Sequence, residues 1–128
     1  MINSIEQEYF SCKFASIFLC LISNVDFMII YNVTINIDNS VAADWLQWMK
    51  DVHIPDVMNT GMFLENHIFR VLADEDSGGK TYAIQYWCAD LFTYEMYRDR
   101  FAPALQAEAS KRYGDKFVAF RTLLEVVK

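Results

Sequence analysis

Residues 28–37, MIIYNVTINI, alternate strictly: Tyr31, Val33, Ile35 and Ile37 fall on one side, and Asn32, Thr34 and Asn36 on the other. Side chains of a strand point alternately to its two faces, and β-branched residues dominate here, so the pattern predicts a strand with the apolar parity turned to a core. Asp38-Asn39-Ser40 follows, with Ser40 placed as a helix N-cap. Val41, Ala42, Trp45, Leu46 and Met49 then recur at helical spacing, which predicts a helix over about 41–53. Pro55 should disturb that helix, and a further turn over 56–59 should stop at Gly61.

The second strand is predicted over residues 63–73, FLENHIFRVLA, and a third over 80–89. The acidic, glycine-ended stretch 74–79 joins them as a hairpin, and it lacks the ligand spacing of a calcium loop. Asp90 is the expected cap of a second helix that carries Leu91, Tyr94, Tyr97, Phe101 and Leu105 on one side. Pro103 should kink or split it, with an end at Gly114. Residues 116–127, KFVAFRTLLEVV, read as the last strand, with Val118, Phe120, Thr122 and Leu124 opposite Arg121 and Glu125.

The order β-α-β-β-α-β follows, and two right-handed crossovers around a central hairpin give an α+β, ferredoxin-like sandwich. Its four-stranded antiparallel sheet should carry two helices on one face. The other face cannot be left in water, because each strand carries large apolar residues on both parities: Ile30 beside Tyr31, Tyr86 beside Trp87, Phe117 and Phe120. A homodimer through sheet faces is the simplest cover. Which parity of the second and third strands faces outward is not fixed by alternation alone.

Residues 1–27 differ from the rest. Their apolar stretch, 14–22, is far shorter than the roughly 20 residues that span a bilayer, and Glu6 and Glu8 stand where a signal peptide needs basic residues. They are expected to be an extension outside the fold, with Met28 as the natural start and 28–128 as a single domain.

Composition narrows the function classes. With 54% hydrophobic and 22% charged residues the chain is not a disordered one. A net charge of −6 argues against tight binding to phosphate backbones. Cys12, Cys20 and Cys88 form neither a disulfide framework nor a metal motif, which suits a reducing, cytoplasmic setting; Cys88 reads as a small buried hydrophobe. No cofactor is implied, since the chain has no glycine-rich phosphate loop, nucleophile elbow or zinc spacing. The RNA-recognition motif shares the element order, and Lys80, Tyr82 and Ala83 fit the opening of its third-strand signature. Ile84 stands where the second stacking aromatic belongs, and Tyr31 has core parity, so nucleic acid is not expected as a partner.

The strings MIIYNVTINID at 28–38, WLQWMKDVHIPDVMNTGMF at 45–63, TYAIQYWC at 81–88 and APALQAEASKRYGDKFVAFRTLLE at 102–125 together resemble a bacterial family of uncharacterised proteins, domain of unknown function DUF4286. The resemblance covers about residues 28–128. It implies the dimeric α/β-barrel group, in which two ferredoxin-like units close their sheets into one barrel, and it brings no established activity. Other families of that group include cofactor-free monooxygenases, haem-handling enzymes, small isomerases and binding modules.

The foremost candidate for chemistry is His53, in the run Asp51-Val52-His53-Ile54-Pro55. Asp51 or Asp56 would orient its ring for general-base work, whereas the plainer role is a partner for the helix C-terminal dipole. His67 and Glu65 share a strand face but are too few for a metal site. Arg121, in an otherwise apolar strand, needs a carboxylate or a ligand anion; a salt bridge to Glu125 or to a partner subunit is the simpler expectation. Asn32, Thr34, Gln85, Trp87 and Arg121 are candidate ligand-binding residues on the open sheet face. Trp45, Trp48, Tyr82, Tyr86 and Trp87 are either pocket walls or core. The function expected is binding of a small, partly apolar molecule in the barrel cavity, with catalysis by His53 as an added step. The alternative is a non-catalytic interaction or regulatory module with a packed interior; a cavity of roughly 300 Å³ favours the former.

Overall fold

A computed structural model describes residues 28–72 and 78–128. The expectations for residues 1–27, for Cys12 and Cys20, and for most of the acidic loop lie outside the described residues. The compact unit spans Ile29–Glu125. Its strands are β1 (Ile29–Asp38), β2 (Glu65–Arg70), β3 (Gly79–Cys88) and β4 (Phe117–Glu125), paired antiparallel in the order β2-β3-β1-β4. The apolar, β-branched strand predicted first is therefore central, with partners on both edges.

Register settles the parity that alternation leaves open. Tyr31 pairs with Tyr86 and Leu123, and Val33 with Ile84 and Arg121. One face thus carries Tyr31, Val33 and Ile35 of β1 with Tyr82, Ile84 and Tyr86 of β3, all buried. The opposite face carries Asn32 and Thr34 beside Gln85, Thr122 and Phe120, then Trp87, Phe69 and His67 toward the β2 edge.

Two regions of the chain are helical, and each is divided. The first consists of α1 (Ala42–Trp48), a π-helical turn (Met49–His53) and α2 (Ile54–Met58). Ser40 is not its cap. Asp38 Oδ1 accepts from both the Ser40 backbone N–H at 2.8 Å and its hydroxyl at 2.6 Å, so the serine closes a turn and the helix starts two residues later. The disturbance expected at Pro55 takes the form of a π turn just before it, and the helix then continues. The π turn pairs the Ile54 N–H with the Met49 carbonyl five residues back, and the proline falls in the first turn of the resumed α-helix, where its missing N–H costs little. Gly61, at φ 79°, stops the segment as expected.

The second helical region begins as predicted at Asp90, whose carboxylate accepts from the Thr93 N–H at 2.8 Å. It runs as α3 (Leu91–Arg100) and, after a break at Phe101, as α4 (Ala102–Tyr113) with Pro103 in its first turn. Gly114 follows at φ 54°.

Side chains from these segments meet the face that carries Tyr31. Trp45 lies against Tyr82 at 5.2 Å between ring centroids, and Tyr94 and Tyr97 lie 5.2 and 5.7 Å from Tyr31. α1 and α4 are tied together by the Tyr113 hydroxyl, which donates to Asp44 Oδ2 at 2.8 Å, and by Arg112 over the Trp48 ring. Cys88 is fully buried in this core, and burial pushes its thiol pKa up, as suits an inert packing residue.

Among the described residues, no helix is long and apolar enough to cross a membrane.

Candidate functional site: an aromatic pocket with one arginine

Between the Tyr31 face and the helical segments lies a cavity of about 310 Å³. β1 and β3 supply its floor with Tyr31, Val33, Ile35, Ile84 and Tyr86. The first helical region contributes Trp45, Met49, His53 and Val57, a stripe at i, i+4 spacing. From the second come Tyr97 and, on α4, Gln106, Ala109 and Ser110; β4 closes the side with Phe117, Ala119 and Arg121. A wider depression at 111–116 is shallow and holds both signs of charge, Asp44 and Asp115 beside Lys111, Arg112 and Lys116. The first of these combines enclosing aromatic walls with a few inward polar groups, the usual make-up of a small-molecule site.

His53 sits in the π turn, on the same i, i+4 stripe as Met49, and lines the cavity. Trp48 and His53 are five residues apart, which a regular α-helix would separate by about 140° around its axis; here their rings are 5.0 Å apart. π turns recur at functional sites because they re-aim side chains that a straight helix would point elsewhere. His53 is not at a helix C-terminus, since α2 continues to Met58. Neither expected aspartate hydrogen-bonds the ring: Asp51 accepts from Gln47 Nε2 at 2.7 Å, and Asp56 acts only through its charge. Burial lowers the His53 pKa, the nearby charge of Arg121 lowers it further, and Asp56 partly opposes them. The ring is therefore a neutral imidazole at physiological pH, able to accept a proton.

Arg121 does not lie on the open face. Its register partner on β1 is Val33, a core-parity residue, so the pleat turns it toward the pocket. The expected salt bridge to Glu125 is absent among the described residues. Arg121 Nε instead donates to the Tyr31 hydroxyl at 3.2 Å. Burial raises the pKa of the Tyr86, Tyr94 and Tyr97 phenols, so all three stay un-ionised.

The six candidates thus divide between two faces. His53 and Arg121 share the pocket, whereas Asn32, Thr34, Gln85 and Trp87 sit across the sheet from it. Asn32 Nδ2 there donates to Thr34 Oγ1 at 3.2 Å, and Trp87 Nε1 is buried with no acceptor among the described residues. His67 and Glu65 pair at 3.0 Å on that face in an exposed position, and no cluster of three metal-ligating residues occurs among the described residues. Tyr82 of the stacking signature is buried against Trp45. Of the aromatic set, Trp45 and Tyr86 are both core and pocket wall. Tyr97, expected only on a helix face, also lines the pocket, and Gln106 and Ser110 are not among the expected site residues. The i, i+4 spacing of Gln106 and Ser110 beside the small Ala109 is the signal that marks them, because it leaves one α4 face polar and uncrowded.

Solved structures share this architecture. A dimeric ferredoxin-like protein from an uncultured marine organism is 14% identical, covers 80% of this chain and 97% of its own, and superposes with a TM-score of 0.51. SnoaB, a cofactor-independent oxygenase from Streptomyces nogalater, is 10% identical over 79% and 94% of the two chains at 0.55. A putative antibiotic biosynthesis monooxygenase from Bacillus cereus is 9% identical over 80% and 95% at 0.54. Likeness at such identities shows the ferredoxin-like fold and carries no chemistry with it. No curated protein matches the chain. One family's sequence model matches residues 28–127, and the chain belongs to that family, described as Domain of unknown function (DUF4286).

Proposed function

We propose that the protein binds a small, partly apolar molecule in the pocket between sheet and helices, and that it does so as a homodimer paired through the open sheet faces into a dimeric α/β barrel. The carrying observation is the cavity of about 310 Å³, whose walls are aromatic and aliphatic apart from a few polar groups, among them His53 and Arg121. Such a space argues against the packed-interior module. It also moves the ligand site from a chamber between paired sheets to the helical side of each subunit. His53 then serves as proton acceptor for the bound molecule, with Arg121 close enough to lower its pKa.

The dimer is supported by the open face itself. Phe120 is 68% and Phe69 49% exposed there, beside exposed Val118 and Leu124. A second copy buries such a self-complementary apolar surface at no cost in new partners. A free, buried Cys88 suits a reducing compartment such as the cytoplasm.

Native mass spectrometry of the purified protein tests the ligand reading. A copurifying small-molecule adduct is expected on the wild-type chain and should vanish in Ala109→Phe, which fills the pocket. An adduct that persists in the filled variant would place the ligand elsewhere.

A further inference from the structure

We infer that the pocket selects molecules with a flat apolar body and one anionic oxygen group, a carboxylate or an ionised enol or phenol, and that Arg121 is the anchor of that group. This deepens the proposed binding function and rests on it.

Three observations converge. The first is the state of Arg121. Among the described residues no carboxylate pairs with it, and its one hydrogen bond is from Nε to the Tyr31 hydroxyl. That bond holds the guanidinium by its inner nitrogen and leaves the two terminal nitrogens to offer a planar pair of N–H donors, the geometry that a carboxylate accepts bidentately. Arg121 lines the cavity yet is exposed, so its fork stands where the pocket opens to water.

The second is the sign of the lining. The sequence holds 17 acidic and 11 basic residues, yet none of the described lining residues is Asp or Glu. The remaining polar groups carry no negative charge: phenols, amide, hydroxyl and imidazole. Within an acidic protein this is a locally positive enclosure, suited to a negative ligand group.

The third is shape. The rings of Tyr31, Tyr86, Tyr97 and Trp45 wall the interior behind the arginine, and flat apolar surfaces stack on such walls. A ligand anion at Arg121 therefore leaves the rest of its molecule among aromatic faces, within reach of His53.

Isothermal titration calorimetry with 2-naphthoate and its neutral isostere 2-naphthamide tests this on the full chain. The wild type is expected to bind the naphthoate at least about tenfold more tightly, as a charge-assisted pair at a partly exposed arginine allows. Arg121→Gln should erase that preference, bringing the two affinities to parity, and Arg121→Lys, which keeps the charge and loses the fork, should retain part of it. Equal affinities in the wild type, or a preference that survives Arg121→Gln, would overturn the anionic-ligand inference and leave the pocket reading intact. Failure of both probes to bind the wild type would overturn the two together.

Discussion

Arg121 and Tyr31 are diagonal neighbours on adjacent strands, and the guanidinium Nε donates to the phenol oxygen at 3.2 Å on the pocket side of the sheet. The register places Arg121 opposite Val33, one same-face step from Tyr31, within the reach of long cross-strand side chains. The bond ties the one arginine of the cavity to the ring at the centre of the aromatic core. Tyr31 itself is buried among Phe63, Tyr86, Tyr94 and Tyr97, so it is a firm post for a side chain that is otherwise exposed.

Tyr31→Phe should fold normally. Water can take the place of the lost hydroxyl at the exposed guanidinium, so the stability loss is expected at the low end of a hydrogen-bond deletion, about 0.5–1 kcal/mol. Urea unfolding measures it, and a loss several times larger would show that Arg121 is less accessible to solvent than its exposure indicates.

His53 should make stability fall on the acid side of neutrality. Its folded pKa lies below the ordinary 6.5 because burial, and then the charge of Arg121, disfavour the imidazolium. The unfolded chain therefore binds more protons between the two pKa values. The contribution is fully present above the unfolded value and is lost as pH falls through the folded one. Asp56 opposes the shift, so Asp56→Asn should depress the pKa further. NMR titration of the His53 ring checks both statements, and a midpoint above 6.5 would contradict them.

Gly79→Ala should loosen the pairing of β1 with β3. A Cβ at this position would stand 2.8 Å from the Ile37 carbonyl oxygen and 2.5 Å from Asn36 Oδ1. The amide can swing away but the strand backbone cannot, so a cost of about 1–3 kcal/mol is expected, as for overpacking elsewhere. A lowered urea midpoint, with faster amide exchange at the Asp38 end of β1, is the signature.

Phe120→Asp should dissociate the proposed dimer without unfolding the subunit, because Phe120 is exposed on an edge strand and pairs with Thr34 rather than with the core. Sedimentation velocity should give twice the 15.0 kDa subunit mass for the wild type and a single subunit for the variant. A wild type that sediments as one subunit would remove the barrel.

The sequence shows β1 in full because its polar and apolar positions separate cleanly, and the two caps at Asp90 and Gly61 are equally plain. β4 is different. Phe117, Ala119 and Leu123 occupy one parity and Val118, Phe120 and Leu124 the other, so nothing in its own pattern says which side Arg121 takes. Only pairing with Val33 decides it, and pairing is a long-range property. Residue type marks His53, yet the π turn around it is not legible, because it has no local signature beyond the proline that follows. The strands alone suggest a pocket between two sheets, because their pattern shows an uncovered face but not how much room the helices leave above the covered one.

The first helical region carries one residue more than a regular helix of the same span would need, taken up where Met49 and Ile54 bond across five residues. Winding the same residues as an unbroken α-helix would make the hydrogen-bond ladder regular. It would also turn one end against the other by about 100°. The histidine and tryptophan would then part company, or the proline segment would lose its seat on the sheet. An irregularity that costs backbone energy in this way is the kind of feature a more stable variant would sacrifice first, and with it the packing of the imidazole against Trp48.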